Sequence, residues 1–287
     1  MIWTKGIVSL LLLFLLAHSQ EVYRFGFTAV VAKEDVRSIE RFLEYLSKKT
    51  GYAFVPVFTK SYDEMSYFLS RGMVDIAYIC GAPYVEDKDY AGFELLAVPL
   101  YKGKPYYYSY VITKRGKNYT SIFNFKGKPY AFSDPKSNSG SVVPTYLLMK
   151  KGYRPEQFFN PIVYTYSHSE SILAVYYGFV EGASVDSVVF DQFVSKFPKI
   201  ASELKVVESY GPFPITPIVV RKSVRKDVKI ALRRALLSMG KDEEGKKILR
   251  DLALDGFTLV NDGFYNPIRN MIAFVKKRTQ DYEKAGK

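Results

Sequence analysis

"PYAFSDPKSNSGSVVPTYLLMKKGY", Pro129 to Tyr153, decides the fold class. Tyr130, Ala131 and Phe132 make a short apolar run that predicts a strand. Ser133, Ser137, Ser139 and Ser141, with Asn138 and Gly140, follow as a loop of small polar residues. The apolar stretch from Val142 predicts a helix that starts at Gly140 and Ser141, with Pro144 tolerated in its first turn. Strand, small-residue turn and helix form the repeating unit of an α/β protein. The hydroxyls have two explanations. One serine caps the helix. Alternatively, the unpaired N–H groups of the first helical turn, at the positive end of its dipole, hold an anion with help from Ser137, Asn138 and Ser139, and Gly140 lets the backbone come close.

The same unit recurs on both sides of this stretch. "VYRFGFTAV", "YAFVPVFT" and "VDIAYIC" predict strands, alternating with "DVRSIERFLEYLSKKTG" and "SYDEMSYFLSRGM" as helices. In the first helix Val36, Ile39, Phe42, Leu43 and Leu46 recur at helical spacing. In the second, Ser61 with Glu64 three residues on is a capping-box pattern. Beyond Tyr153, "PIVYTYS", "EGASVDS" and "LKVVESY" predict strands between the helices "HSESILAVYYGF" and "VVFDQFVSKFP". Residues 218–287 supply mainly helices, which cannot form a core of their own and return to the first unit. The expectation is an α/β protein of two lobes, each a central sheet flanked by helices. Residues 20–112 with 218–287 form lobe 1 and 113–217 form lobe 2, with hinge crossings near Thr113 and Pro214. A cleft between such lobes is a preferred place for a small ligand.

The 287 residues are 48% hydrophobic, enough for a full core. The apolar run Gly6 to Ala17 is too short for a comfortable membrane span, and Ala17 and Ser19 suit a signal peptidase. Residues 1–19 are therefore read as a signal peptide cleaved near Ser19, with an uncleaved anchor as the alternative; the mature chain is expected to be exported. Cys80, the single cysteine, cannot form an internal disulfide and fits a buried thiol. The net charge of +12 comes from dispersed lysines and arginines, so no nucleic-acid partner is expected.

Catalysis lacks its usual parts. The histidines are His18 and His168, and the chain has no zinc-type cluster, G-x-S-x-G elbow or phosphate-binding P-loop. No enzyme activity, catalytic residue, cofactor or metal is expected. Besides the serine loop, several residues are candidates for ligand binding. His168, at a helix start, either donates to an anion or caps and packs. Asp186, ending a small-residue strand, either accepts a proton from a protonated oxyanion or serves structure. Gly81 and Tyr84 follow the strand "DIAYIC", where open sheets place their ligands. Tyr62, just ahead of "DEMSYFL", either reaches the cleft with its phenol or packs.

"SYDEM", "GMVDIAYICGAPYV", "FKGKPYAFSDPKSNSG", "SHSESILAVYYGFVEGASVDS" and "GPFPITPIVVR" stand in the order found in periplasmic phosphate, phosphite and phosphonate-binding proteins, and residues 22–240 resemble that family. These are type II solute-binding proteins of ABC importers. The resemblance implies a two-lobe receptor, expected as a monomer, that closes on a phosphorus oxyanion and delivers it to an ABC permease in the inner membrane. A sensor presenting the anion to a chemoreceptor or kinase is the alternative. It further implies that Ser137, Asn138 and Ser139 hold the oxygens, that His168 contacts one, and that Tyr62 closes over the ligand. Two departures bear on the substrate. Asn138 stands where many relatives carry threonine or serine. Asp186 is the one obvious acid at its position, whereas relatives that bind aminoalkylphosphonates look as if they need carboxylates for the ammonium. Phosphate, phosphite or a small alkylphosphonate is favoured.

Overall fold

The computed structural model describes residues 21–28 and 36–285. The expected signal peptide lies outside the described residues. The first strand, β1 (Val22–Phe27), runs parallel to β2 (Ala53–Phe58) on one side and β3 (Ile76–Tyr78) on the other. Between them run α1 (Val36–Thr50) and α2 (Tyr62–Ser70). The apolar stripe of α1 buries Ile39, Phe42, Leu43 and Leu46 against the sheet, as helical periodicity requires. Ser61 caps α2 by accepting the Glu64 N–H at 3.2 Å. The Glu64 carboxylate accepts from the Lys60 N–H at 2.6 Å, so the box closes one residue earlier than its sequence pattern suggests. A short helix α3 (Gly81–Asp87) and strand β4 (Phe93–Leu100) follow.

The second sheet repeats the plan. It contains β5 (Tyr106–Lys114), β6 (Tyr130–Phe132), β7 (Ile162–Tyr164), β8 (Gly182–Asp186) and β9 (Leu204–Pro214), in the order β7-β6-β8-β5-β9. β6 lies parallel to both β7 and β8, as β1 does to β2 and β3. Its helices are α4 (Val143–Lys150), α5 (Pro155–Phe158), α6 (His168–Tyr177), α7 (Ser187–Lys196) and α8 (Pro198–Glu203).

The chain then returns. β10 (Ile218–Arg221) inserts antiparallel between β3 and β4. Helices α9 (Lys226–Ser238) and α10 (Glu243–Asp251) precede β11 (Gly256–Thr258), giving a first sheet of order β11-β4-β10-β3-β1-β2. The last helix, α11 (Asn266–Ala285), packs on α3 and also on α4. Two expectations are corrected here. Thr113 is not a crossing: it sits inside β5, which pairs along its length with β8 and β9, and the chain passes between the sheets at residues 101–105 and 215–217. The C-terminal segment does not return to the first unit alone, because α11 also meets the second.

Each half reverses its winding direction beside a parallel strand, β1 in one and β6 in the other. Turns leaving the carboxyl ends of such strands open onto a shared crevice. Thr28, Cys80, Ser133 and Asp186 all stand at those ends.

Candidate functional site

The serine loop caps its helix, the first of the two readings its sequence allows. Ser137 Oγ caps the helix by accepting the Gly140 N–H at 3.0 Å. The helix opens with a wider, π-type turn over Asn138–Val142 that runs directly into α4. A Cβ on Gly140 would stand 2.0 Å from Ser133 Oγ, so only glycine lets the Ser133 hydroxyl lie against this turn. Ser109 Oγ donates to the Ser139 carbonyl at 2.7 Å, and Asn138 Nδ2 donates to the Tyr107 hydroxyl at 2.9 Å. Both contacts come from β5 and fix the loop from below.

The first lobe closes over it. The Tyr62 N–H donates to Asp134 Oδ2 at 3.2 Å, and the Asn138 N–H donates to Cys80 Sγ at 3.3 Å. Lys136 Nζ reaches Asp63 at 2.7 Å and Asp87 at 3.0 Å across the cleft. Burial pulls its pKa down, but the two carboxylates outweigh that and raise it, so Lys136 stays charged. Cys80 is buried, as expected, and burial pushes its thiol up to about 11, which keeps it protonated and inert as a nucleophile.

His168 opens α6 behind the Ser167 cap and is fully buried. Its Nδ1 accepts the Asp186 N–H at 3.1 Å. The ring proton must then sit on Nε2, which lies 3.4 Å from Ser137 Oγ. Burial lowers its pKa to about 3, so at neutral pH it is an uncharged N–H donor. Asp186 caps α7, its Oδ1 accepting from the N–H groups of Val188 at 2.7 Å and Val189 at 3.3 Å. Burial raises its pKa to about 7 against the lowering effect of those N–H groups. It has no lysine partner among the bonds described.

The diagnostic feature is a set of buried hydroxyls that hydrogen-bond to nothing in the protein: Thr28, Tyr62, Ser133, Ser139 and Ser169, together with the Asn138 amide oxygen. Burial raises the Tyr62 phenol well above its ordinary value, so it is a donor. Leaving one such group unsatisfied costs about 1–3 kcal/mol. Ser133 lies against the turn at Gly140, Ser139 belongs to that turn, Ser169 follows His168, and Tyr62 meets Asp134 of the same loop; buried donors left without partners are where an acceptor can bind.

Of the residues singled out from sequence, Tyr62, Ser137, Asn138, Ser139, Gly140, His168 and Asp186 come together here. The other two sequence candidates are held by the C-terminal segment. Tyr84 turns its hydroxyl to Asp262 at 2.8 Å and lays its ring 4.5 Å from that of Tyr265. At Gly81 a Cβ would stand 2.6 Å from Ile268 of α11, so no larger residue fits there. Sequence reasoning missed Ser133, Ser169, Thr28 and Tyr107. The first two lie within the quoted "SDPKSNSG" and "SHSES" blocks, and their small hydroxyl type at a strand end or helix start was the available signal.

The chain matches known proteins over most of its length. The family model described as "ABC transporter, phosphonate, periplasmic substrate-binding protein" matches residues 25–265. The phosphonates-binding periplasmic protein of Escherichia coli K12 is 26% identical over 267 residues, covering 90% of this chain and 79% of that protein. A crystal structure of a binding-protein component of an ABC phosphonate transporter from Pseudomonas aeruginosa superposes with a TM-score of 0.84 at 28% identity, covering 91% of this chain and 88% of that one. A Prochlorococcus marinus protein solved with methylphosphonate shares the fold, with a TM-score of 0.81 at 17% identity over 90% of this chain and 99% of that one. Matched over most of its length, the chain belongs to the periplasmic phosphonate substrate-binding proteins of ABC transporters.

Proposed function

We propose that the cleft captures a phosphorus oxyanion carrying no ammonium group and hands it to the membrane permease. The supporting observation is the partnerless hydroxyl set, Tyr62, Ser133, Ser139 and Ser169, together with the buried His168 Nε2–H beside Ser137 and the π-type turn that Ser137 caps. A tetrahedral oxyanion presents acceptors in several directions and matches donors arriving from both lobes. None of these donors is a lysine or arginine. Binding through neutral dipoles in a buried site holds the anion without a counter-ion, as at other helix starts. Because each lobe supplies donors, the ligand favours the closed arrangement by bonding to both. The protein's part is capture and release, with no covalent step.

Calorimetry tests this with protein unfolded, freed of any co-purified ligand and refolded. Phosphite, phosphate and methylphosphonate are titrated against sulfate and 2-aminoethylphosphonate. Binding of at least one ammonium-free phosphorus oxyanion, lost in Ser139→Ala and His168→Ala variants that still fold, is the expected result. Unchanged affinity in both variants would remove this site.

A further inference from the structure

The second lobe has two unlike poles. β6 and β8 are parallel and end at Phe132 and Asp186, beside the serine loop, where α6 and α7 begin at His168 and Ser187. The opposite pole is therefore built from the starts of β6 and β8, the far ends of α6 and α7, and the short α8. β5 runs against β8 and pairs Ser109 with Asp186, so its last residue, Lys114, reaches the far pole opposite Leu204 of β9.

Cations distant in sequence meet there. The stretch "KRGKNYTSIFNFKGK", residues 114–128, holds Lys114, Arg115, Lys117, Lys126 and Lys128 and no acidic residue. Lys196 joins from the end of α7 and Lys199 from α8. Arg115 ties these segments together by donating to the Ser202 carbonyl at 2.9 Å and the Leu204 carbonyl at 3.1 Å. The acids beside them are Glu181 and Glu203, and Glu181 is already held by Lys117 and the Tyr119 hydroxyl, each at 3.0 Å. Arg115, Lys128, Lys196 and Lys199 are exposed, so the pole faces solvent with a positive excess.

Large rings stand among these charges. Just beyond the end of α6, Phe179 is 75% exposed, and Tyr177 is 63% exposed, with ring centroids 6.0 Å apart. A Cβ on Gly178, between them, would lie 3.5 Å from Lys114 Nζ. Phe197 stands exposed between Lys196 and Lys199. Protruding aromatics on a soluble surface mark a site of contact. An acidic polymer would answer the charges but would offer the rings no apolar layer. A bilayer with anionic headgroups answers both: lysine and arginine meet the phosphates, and the rings settle at headgroup level.

We propose that the far pole of the second lobe is a docking surface for anionic phospholipid membrane. Seated this way, the protein turns its cleft, at the other end of the same strands, toward solvent. It stays beside the membrane of its ABC transporter while the cleft remains open to incoming ligand. Each basic residue near the surface should strengthen binding about fivefold, and seating the exposed rings should add about tenfold or more.

The test is co-sedimentation of the purified exported protein with vesicles of mixed phosphatidylglycerol and phosphatidylcholine, and with vesicles of phosphatidylcholine alone. Binding to the mixed vesicles should be at least about 25-fold tighter and should weaken as salt is raised. Lys128→Glu with Lys199→Glu should reduce it by at least about 25-fold, and Tyr177→Ser with Phe179→Ser by about tenfold. All four side chains are exposed and lie away from the cleft, so both double variants should melt with the parent and keep its affinity for oxyanions. Equal binding to the two kinds of vesicle, or unchanged binding in either double variant, overturns the proposal; binding indifferent to lipid charge and to both variants would belong to the apolar run 6–17 instead.

Discussion

Gly140→Ala is the sharpest probe of the proposed anion cradle. The added methyl would lie 2.0 Å from Ser133 Oγ, 3.0 Å from Ser137 Oγ and 3.1 Å from Ser133 Cβ. Ordinary contact begins near 3.5 Å, so the Ser133 side chain must swing away by more than 1 Å. The helix itself tolerates alanine, which is a better helix former than glycine. The variant should therefore fold and melt within a few degrees of the parent, yet lose the Ser133 hydroxyl as a donor. A hydrogen bond to a charged group contributes about 1.5–3 kcal/mol, so affinity for the bound anion should fall roughly 10- to 150-fold. Ser133→Ala should weaken binding comparably. In that background the 2.0 Å clash is gone, and the remaining 3.0 Å and 3.1 Å contacts need shifts of only a few tenths of an ångström. Adding Gly140→Ala there should cost less than about threefold, a strongly non-additive cycle for groups in contact. Calorimetry on the four proteins measures this. Equal costs for Gly140→Ala in both backgrounds, or parental affinity in the single variant, would refute the reasoning.

Tyr62→Phe deletes a buried hydroxyl that has no protein partner. Ligand-free stability should hold or rise by up to about 1–3 kcal/mol while affinity drops about tenfold or more; chemical denaturation beside calorimetry shows whether the two move apart. Lys136→Met removes the cation that links the lobes through Asp63 and Asp87. Asp87 is buried and keeps only Ser66, so the variant should melt lower, weaken ligand binding and be partly rescued by adding Asp87→Asn; absence of rescue counts against the latch. Asp186 is raised from its ordinary value to about 7 by burial. Its stabilising share is fully present below about pH 4, where the unfolded chain is also protonated, and is lost as pH rises through about 7. Asp186→Asn should therefore unfold at higher denaturant than the parent at pH 8, by up to about 4 kcal/mol, with the gap closing by pH 4. A gap independent of pH would mean that the carboxyl is not held protonated by the fold.

The α/β alternation and the helix starts were legible because they rest on local chemistry. Ser61, Ser137 and Ser167 cap helices wherever the rest of the chain lies, and Ile39, Phe42, Leu43 and Leu46 announce a buried stripe by spacing alone. The proposed anion donors at Ser137–Gly140 and His168 were legible for the same reason, since a helix start exposes its own N–H groups. The limits of β5 were not. "YYYSYVIT" carries no mark of which sheet it joins, and only pairing with β8 and β9 places it. Tyr84 illustrates the other limit: its partner Asp262 lies 178 positions away, and nothing near Gly81 in the chain hints at it. Ser169 and Thr28 acquire meaning only when tertiary packing buries them without partners.

The final helix has a mechanical consequence. Its Ile268 packs on Gly81 and its Lys276 pairs with Glu86 at 2.7 Å, both in the first half of the molecule. Its Phe274 ring sits 5.1 Å from that of Tyr146, and the Tyr282 ring lies under Arg154 at 5.3 Å, both in the second half. Swinging the halves apart cannot be accomplished by bending the two connecting segments, 101–105 and 215–217, alone. One row of these contacts must slide or let go, so the ease of opening is governed in part by aromatic and ionic grips on the outer flank, well removed from the serines.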